Sequence, residues 1–368
     1  MPEDNIGEKG KETMMMDKIK RGGMIGAGAW SDIQLTAWDG APNVRIVALA
    51  DRHPERRGPV VERFGIDLGF DDFETMLDQG DLDFVDICTR PYSHAQLTKL
   101  AADRGLPILC QKPFCASLEE ALEVVGYCQE RGVRLMINEN FRWQVWYRKA
   151  KEILDSGVLG RVFTATLRRR ARFTWPHFSN EQAYLADMPH LAVYELGVHF
   201  LDTFRYLFGD PTLLFARLHH VSPHMRGEDV EVITLGFPEM TGIINHSWAS
   251  VMVPGLDKPD STNIDDLKRM PAPRLEIDGM EGTLVLRSDN TMHLFTDDEH
   301  EMWRFAGNER PKAHIAAQQH FIDCLESGEE FETSGADYLR TMALVYAAYQ
   351  SHEEKQAVKL SELLSVQS

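Results

Sequence analysis

The sequence runs Gly23-Met-Ile-Gly26-Ala-Gly28-Ala-Trp30-Ser31 at the point where a short apolar run meets a helical pattern. The apolar run predicts a buried strand, and the helical pattern begins at Ser31. Glycines allow a tight turn between the two and let the backbone approach a bound group closely. The N-terminus of the following helix offers free N–H groups and a positive dipole end to an anion. This turn therefore predicts a pyrophosphate-binding site, whose cofactor contacts come from Gly26, Gly28, Ala29 and Trp30.

A second apolar run, Val44–Ala50, ends in Asp51, which stands about twenty residues after Gly28, the interval typical of dinucleotide-binding units. A carboxylate at the tip of this strand accepts hydrogen bonds from the adenosine ribose hydroxyls and repels a 2′-phosphate. The neighbouring Arg52 is a second expected cofactor contact, and it favours that phosphate. We expect the effect of Asp51 to dominate, so the sequence predicts NAD rather than NADP as the cofactor.

Two kinds of pattern divide the chain. From residue 19 to 140, short apolar runs alternate with helical periods, which requires a parallel sheet covered by helices on both faces. This region is predicted to be a doubly wound Rossmann domain. From residue 141 to 368, extended runs follow one another closely and are joined by short turns, which is typical of antiparallel neighbours. We predict here an α+β domain with a large, mostly antiparallel, open-faced sheet. Residues 1–18 are predicted to be a disordered extension.

The composition narrows the classes of function. The formal net charge is −18, so a nucleic-acid partner is not expected. No apolar run is long enough to span a membrane, and the first residues lack the apolar segment of a signal peptide. The five cysteines form no Cys-x-x-Cys pair, which is typical of a reduced protein in the cytoplasm. His219, His220 and His224 lack the spacing of metal ligands, so no metal is expected.

Three further segments carry candidate chemistry. Thr89-Arg-Pro-Tyr-Ser-His94 and Gln111-Lys112-Pro113 each follow a predicted strand. Ligands in open α/β sheets bind beyond the carboxyl ends of the strands, so both segments should border the cofactor. The third segment, Glu195-Leu-Gly-Val-His199-Phe-Leu-Asp202, has spacings of four and three, which put its two acids and its histidine on one helix face. The cofactor contacts predicted from these segments are Thr89, Pro91, His94, Gln111 and Lys112.

Together with the glycine-rich turn, these segments make nearly the whole chain similar to the Gfo/Idh/MocA family, which includes glucose–fructose oxidoreductase and inositol dehydrogenase. The family's Glu-Lys-Pro motif is matched by Gln111-Lys112-Pro113, and its Gly-x-His-x-x-Asp motif is matched by residues 197–202. Two departures are Gln111 in place of Glu and Glu195 where many members have Asp. The resemblance implies an NAD-dependent oxidoreductase that acts on a secondary hydroxyl of a sugar, sugar derivative or cyclitol.

The resemblance and side-chain chemistry together imply roles for individual residues. Histidine ordinarily titrates near neutrality, so His199 is the best acceptor for the hydroxyl proton. Lys112 is expected to hydrogen-bond the same hydroxyl and stabilise developing alkoxide charge. Glu195 either orients the His199 ring or binds substrate hydroxyls. Asp202 either takes part in the site or pairs locally, for example with Arg205. The predicted catalytic residues are Lys112, His199 and Glu195.

Further substrate contacts are expected around the same cleft. Asn140 and Arg142 follow the sixth strand, where the family places such contacts, and His190 precedes the helix that carries His199. Amide and guanidinium groups bind hydroxyls or a carboxylate. The full set of predicted substrate contacts is Lys112, Asn140, Arg142, His190, Glu195 and His199.

Other functions stay open on this sequence. A cofactor-sensing protein of the same fold would bind NAD without turnover, although a sensor has no need for both Lys112 and His199. A glycoside-processing member would keep a tightly bound NAD that is reduced and reoxidised within one cycle. A reductase of an imine or a tetrapyrrole, which the family also includes, would favour a more apolar site.

The second domain also predicts assembly. We expect one face of its sheet to be covered by helices and the other to be apolar. A large exposed apolar patch is unusual on a monomer, and the same sheet mediates assembly in the family. The expected state is a homodimer or homotetramer, and the expected small-molecule partner is a polyol or sugar. The residues predicted for the open face are Ile233, Leu235, Ile243, Ile244 and Trp248.

Overall fold

A computed structural model describes residues 19–171, 183–250, 273–306 and 310–361, so the predicted extension over residues 1–18 lies outside it. The first sheet of the described residues has six parallel strands in the order β3-β2-β1-β4-β5-β6. The strands are β1 Lys20–Ile25, β2 Val44–Ala50, β3 Leu68–Phe70, β4 Phe84–Ile87, β5 Ile108–Gln111 and β6 Leu135–Asn138. The helices between them are α1 Ser31–Asp39, α2 Pro54–Phe64, α3 Phe73–Gln79, α4 Pro91–Ala102 and α5 Leu118–Glu130.

Burial explains why this sheet is parallel. Every residue of β4, β5 and β6 is buried, as is required of strands that have helices on both faces. The predicted doubly wound Rossmann fold is therefore confirmed. Its connections bring the carboxyl ends of β1, β4, β5 and β6 to one edge, which is where ligands bind in such sheets.

The second sheet of the described residues has nine strands in the order β14-β13-β12-β11-β7-β10-β9-β8-β15. Strands β7 and β10 pair in parallel, and the other described pairs are antiparallel, which confirms the predicted, mostly antiparallel sheet. The strands are β7 Val162–Arg170, β8 Leu213–His219, β9 Val230–Gly236, β10 Thr241–Ser247, β11 Pro273–Gly279, β12 Gly282–Arg287, β13 Thr291–Thr296, β14 His300–Arg304 and β15 Val358–Lys359.

Helices lie on one face of this second sheet. A π-helical turn, Ala192–Gly197, runs directly into the helix Val198–Phe208, so the helix predicted here begins with a wider turn. Short 3₁₀ turns span Phe141–Trp143 and Ala183–Asp187. In the described part of the chain, no helix combines the length and apolar character needed to cross a bilayer. The longer helices are α6 Val145–Asp155, α7 Val198–Phe208, α8 Arg310–Ser327 and α9 Gly335–Glu354.

The predicted assignment of apolar residues to the open face of this sheet is wrong. Ile233, Leu235 and Ile244 have no exposed surface, because they belong to the core that the helices cover. Trp248 is also buried, in a small cluster of its own. Side chains alternate between the two faces of a strand, and the helices bury the most apolar set. Of the predicted residues, only Ile243 is half-buried.

The C-terminal part of the chain returns to the first sheet. The backbone N–H of Ile137 donates to the Thr333 carbonyl at 2.8 Å, and the Thr333 hydroxyl donates back to Ile137 at 2.7 Å. Gln318 on α8 donates to the Gln34 carbonyl on α1 at 3.1 Å. The predicted boundary at residue 140 falls between β6 and α6, yet α8 and the segment before α9 are packed against the first domain.

Candidate active site

The glycine-rich turn joins β1 to α1 as an open backbone loop. Gly26 has a φ of +108°, which glycine adopts readily, and a Cβ there would overlap the Cys88 carbonyl. Gly28 is exposed, and apart from its chain neighbours no described heavy atom lies within 4 Å of the place a Cβ would take. The hydroxyl of Ser31 donates to the Gly28 carbonyl at 2.6 Å, so serine closes the turn where a third glycine is usual. The exposed backbone at Gly28 and Ala29 thus lies where a helix N-terminus stabilises an anion.

Asp51 lies beside this turn. One of its carboxylate oxygens accepts a hydrogen bond from the Ala27 N–H, and the other accepts one from the His53 N–H, each at 2.8 Å. A carboxylate has about four acceptor sites, so these two bonds fix its position and leave capacity for ribose hydroxyls. Arg52 is exposed next to it. The structure therefore places the predicted ribose-binding acid against the glycine turn.

The segment after β4 contains one residue whose predicted role changes. Thr89 and Ser93 share a hydroxyl hydrogen bond of 2.8 Å around the start of α4 at Pro91. His94 is fully buried; its Nε2 lies 3.0 Å from the Thr89 carbonyl and its Nδ1 lies 3.0 Å from the Pro113 carbonyl. Burial lowers the pKa of His94. His94 thus ties the loops after β4 and β5 together, which is a positioning role rather than the predicted cofactor contact.

Gln111 and Lys112 follow β5 and point to different neighbours. Gln111 is buried, where its Nε2 donates to Oε1 of Gln34 at 3.3 Å and its Oε1 accepts from the Lys112 N–H at 3.1 Å. Lys112 reaches the second domain, where Nζ donates to Oε1 and to the backbone oxygen of Glu195, each at 2.9 Å. Only 10% of the Lys112 side chain and 17% of the Glu195 side chain are exposed. The ammonium group is therefore fixed where the two domains meet.

The acids and the histidine of the 195–202 segment share a helix face, as their spacing predicts. Gly197 lies on the other side of the helix and lets it approach the second sheet, because a Cβ there would lie 2.5 Å from Oε2 of Glu231. The three side chains reach residues that follow the carboxyl ends of β5 and β6. The pairs are Glu195 with Lys112, His199 with Glu139, and Asp202 with Arg142.

His199 is held by a carboxylate, Glu139, that is not among the predicted site residues. Its Nδ1 lies 2.5 Å from Oε1 of Glu139, and its ring stacks on Phe141 with centroids 3.9 Å apart. Burial raises the pKa of Glu139 to about 7, while the Phe141 N–H and the charges of Lys112 and Arg142 act in the opposite direction. A carboxylate directly after a parallel strand is the one signal that could have identified Glu139.

The prediction that Arg142 contacts the substrate is not supported by its surroundings. Arg142 is 5% exposed and donates two hydrogen bonds to Asp202, at 2.8 and 2.6 Å, and a third to the Glu332 carbonyl. Burial alone would lower the pKa of Arg142, but the carboxylates of Asp202 and Asp337 raise it. The alternative pairing of Asp202 with Arg205 is present only at 3.9 Å. Arg142 is a buried structural cation because its donors face the protein.

Asn140 and His190 are placed apart from each other. Asn140 is buried, and its Nδ2 lies 3.0 Å from Nε2 of His314 on α8. The His314 ring meets Trp30 edge-on, with centroids 5.8 Å apart, so Asn140 belongs to the wall beside the glycine turn. His190 is exposed, and its ring stacks on Tyr349 at 4.1 Å. His190 therefore contacts Tyr349, which is not one of the residues that pair with the 195–202 helix face.

Buried polar atoms near the sheet edge fit a bound dinucleotide. Asn138 is 1% exposed, and within the described residues neither of its amide atoms has a hydrogen-bond partner. The same holds for Nε1 of Trp30. Asn138 pairs with Gln111 across β5 and β6, at the carboxyl ends of both strands. An unsatisfied buried polar group costs about 1–3 kcal/mol, and a ribose or carboxamide bound here would satisfy it.

Comparison with known proteins gives matches over both domains. The model of an oxidoreductase family with an NAD-binding Rossmann fold matches residues 20–139, and the GFO/IDH/MocA C-terminal domain matches residues 147–285. The D-apiose dehydrogenase of Rhizobium rhizogenes is 35% identical, and the match covers 95% of this chain and 100% of that protein. The chain belongs to the Gfo/Idh/MocA family. Its resemblance to that family, predicted from the motifs, is thereby confirmed.

Two further members of the family are informative. Inositol 2-dehydrogenase of Rhizobium meliloti is 24% identical over 93% of this chain and 99% of that protein. An oxidoreductase from Agrobacterium radiobacter, whose structure was solved with NAD⁺, L-tartaric acid and magnesium, is 33% identical and superposes with a TM-score of 0.85. That match covers 94% of this chain and 99% of the other. This chain is therefore an NAD-dependent oxidoreductase of the sugar and cyclitol dehydrogenase type. The sensor and glycoside-processing alternatives are not favoured.

Proposed function

We propose that this enzyme oxidises a secondary hydroxyl of a small aldose, with D-apiose as the first substrate to test. The supporting relative is the D-apiose dehydrogenase that matches nearly the full length of the chain. The observation that carries the proposal is a double pairing between the two domains. Lys112 and Glu139, which follow β5 and β6, pair with Glu195 and His199 of the 195–202 helix. This arrangement brings the Lys112 ammonium group and the His199 imidazole to the carboxyl edge of the Rossmann sheet, where the substrate must meet the cofactor.

The chemistry follows from these two groups. When bound, oxidised NAD supplies the acceptor for the hydride that leaves the carbinol carbon. The ammonium group of Lys112 donates a hydrogen bond to the substrate oxygen and stabilises its developing negative charge. The imidazole of His199 accepts the hydroxyl proton, a role that typically contributes about two to four powers of ten in rate. Glu195 keeps the Lys112 ammonium in place through two contacts of 2.9 Å and is available to substrate hydroxyls.

The cofactor contacts proposed from the sequence cluster along this edge. The exposed backbone after β1 is proposed to bind the pyrophosphate, and the acid after β2 is proposed to bind the adenosine ribose. Loop residues after β4 and β5 would border the nicotinamide half. The proposed contacts are Gly26, Gly28, Ala29, Trp30, Asp51, Arg52, Thr89, Pro91, Gln111 and Lys112.

A substrate panel tests the proposal. Purified enzyme is assayed with D-apiose, D-xylose and myo-inositol, each with NAD and with NADP, and NADH or NADPH absorbance is followed. We expect the largest kcat/KM with D-apiose and NAD. Lys112→Met should lower turnover by roughly two or more powers of ten while NAD affinity changes only several-fold. Lys149→Met is the matched control, because Lys149 pairs with Glu152 on the surface of α6. NAD binding without turnover of any sugar would overturn the proposal.

We also propose a homodimer or homotetramer built on the open face of the second sheet. Alternate residues of β8 are exposed on this face, and Phe215 and Val232 are 36% and 37% exposed on adjacent strands. Apolar side chains exposed side by side on a sheet favour a partner surface. Sedimentation should show a species larger than the 41.9 kDa chain, and Phe215→Glu with Val232→Glu should reduce it to that size. A monomer at micromolar concentration would overturn this assembly.

A reducing, cytoplasmic compartment is proposed on the state of the cysteines. All five are free and buried, so the described chain needs no oxidising environment. Thiol titration should find these groups unreactive in the folded protein and reactive in urea. A disulfide in protein isolated from its natural source would contradict the proposal.

A further inference from the structure

Glu139 is a buried carboxylate at the edge where the two domains meet. It follows β6 directly and has no exposed surface. Its Oε1 lies 2.5 Å from Nδ1 of His199 and accepts a hydrogen bond from the Phe141 N–H at 3.0 Å. Its Oε2 accepts one from the Tyr338 hydroxyl at 3.3 Å. Contacts with three different elements therefore fix this side chain.

The contacts of Glu139 determine which nitrogen of His199 carries a proton. An ionised carboxylate only accepts hydrogen bonds, so Nδ1 must be the donor in this pair. Nε2 is then the ring atom with the lone pair, which is the atom that accepts a proton. Phe141 stacks on the ring with a 6° angle between the planes, so the ring cannot turn without losing that contact.

The other acid near the helix has a different partner. Glu195 is bound through Oε1 to Lys112, so it does not occupy the position beside Nδ1 of His199. The charged and titratable groups that face Glu139 are Lys112 after β5, Arg142 in the 3₁₀ turn, Asp202 on α7 and Tyr338 on α9. Two cations in this set favour an ionised Glu139.

We propose that Glu139 is a positioning residue that keeps Nδ1 of His199 protonated, presents Nε2 to the substrate hydroxyl and balances the imidazolium charge. The proposal rests on the proposed role of His199 as the proton acceptor. In this step the substrate O–H bond breaks and an Nε2–H bond forms, while the Nδ1–H bond stays intact. The added positive charge lies against the Glu139 carboxylate, so the pair becomes neutral as a whole rather than leaving a lone cation in the protein.

Two substitutions separate the effect of the His199 ring position from the effect of the Glu139 charge. In Glu139→Gln, the amide oxygen must occupy the Oε1 position, because the Phe141 N–H and Nδ1 both donate there. The tautomer is then kept and the charge is lost, so we expect kcat to fall by roughly one to two powers of ten. In Glu139→Ala both are lost, and the fall should approach the two to four powers of ten attributed to His199 itself. The dissociation constant of NAD, measured by fluorescence, should change only several-fold in both variants.

The pH profile is the readout that a purely structural role would not move. Removing a nearby negative charge makes an imidazolium easier to deprotonate, so the acid limb of kcat/KM in Glu139→Gln should shift to lower pH. Glu231→Gln is the matched control, because Glu231 is also fully buried and bonded to a histidine, His246, at 3.1 Å. Its acid limb should coincide with that of the wild type.

A direct measurement covers the case in which a Glu139 variant does not fold. In wild-type enzyme with ¹⁵N-labelled histidine, the His199 signal is assigned by its loss in His199→Gln. At alkaline pH we expect the proton on Nδ1 and none on Nε2, whether or not a sugar substrate has been found. The opposite tautomer would overturn the role of Glu139, as would near-normal kcat in folded Glu139→Ala. Absence of turnover with every sugar would instead count against the proposed function.

Discussion

Two buried glutamate–histidine pairs of the molecule differ in their surroundings. Glu139 and His199 meet at 2.5 Å between the end of β6 and α7. Glu231 and His246 meet at 3.1 Å on the adjacent strands β9 and β10, where the Glu231 carboxylate faces Gly197. Both carboxylates have no exposed surface, so burial alone does not distinguish the pairs.

The neighbours of each carboxylate decide its charge. Glu139 also accepts hydrogen bonds from Phe141 and Tyr338, and nearby cations keep its pKa at about 7 in spite of burial. Burial and the Glu228 carboxylate raise the pKa of Glu231 well above its ordinary value, and no described donor reaches its Oε2. Burial lowers the pKa of His246 well below its ordinary value. Both shifts in the second pair therefore favour the uncharged forms, whereas the first pair is able to carry and compensate charge.

The largest expected difference between the pairs is in turnover. His199→Gln should lower kcat by roughly two to four powers of ten, because the proton acceptor is lost. His246→Gln should leave kcat close to the wild-type value and reduce the free energy of unfolding by about 1–3 kcal/mol, because a buried hydrogen bond is disturbed. Steady-state kinetics and urea unfolding measure both effects. Equal losses of kcat in the two variants would remove the distinction.

A second experiment acts on a cation beside the first pair. Arg142→Met should destabilise the protein by about 3–5 kcal/mol, because it leaves the Asp202 carboxylate buried without its bidentate partner. Arg148→Met is the control, because the Arg148–Glu332 pair is about one-third exposed and should contribute only about 0–1 kcal/mol. Combining Arg142→Met with Asp202→Leu should recover much of the lost stability. Similar unfolding curves for the two single variants would contradict the structural role of Arg142.

The smallest effect is a pH dependence of stability. The folded protein holds the Glu231 proton more tightly than the unfolded chain, so wild-type stability falls as pH rises above the ordinary pKa of 4.5. Glu231→Gln cannot titrate. Its stability relative to the wild type should therefore increase with pH, by at most about 1.4 kcal/mol per pH unit. Urea unfolding over a pH series measures this slope, and a constant difference would show that Glu231 titrates normally in the fold.

Local patterns were enough to predict the elements that have a buried face. Helix α1 begins at Ser31 and strand β2 spans Val44–Ala50, as the sequence predicts. Strands β3 and β14 were not predicted. Both lie at sheet edges and have few or no buried residues, so they give no apolar signal. Hydrophobic patterning reports burial, and an edge strand is held mainly by backbone hydrogen bonds.

The candidate site was predictable only where it is local. The shared helix face of Glu195 and His199 follows from spacing alone. The partner of His199, Glu139, lies 60 residues earlier in the chain, and so does Arg142 relative to Asp202. Neither distance in sequence carries a periodic signal, because both contacts form only when the second domain folds onto the first. For this reason Arg142 was interpreted as a substrate contact, although it is a structural cation.

The return of the C-terminal segment to β6 has a consequence for synthesis of the chain. The β6 edge of the Rossmann sheet is completed by Thr333, which lies 196 residues after its partner Ile137. At about 5–20 residues per second, a ribosome needs roughly 10–40 s to make that interval. During this time β6 presents unpaired N–H and C=O groups, which invite pairing with another nascent chain. A gene fragment that ends near residue 140 would lack this partner permanently, so we expect the cofactor-binding half to aggregate when it is expressed alone.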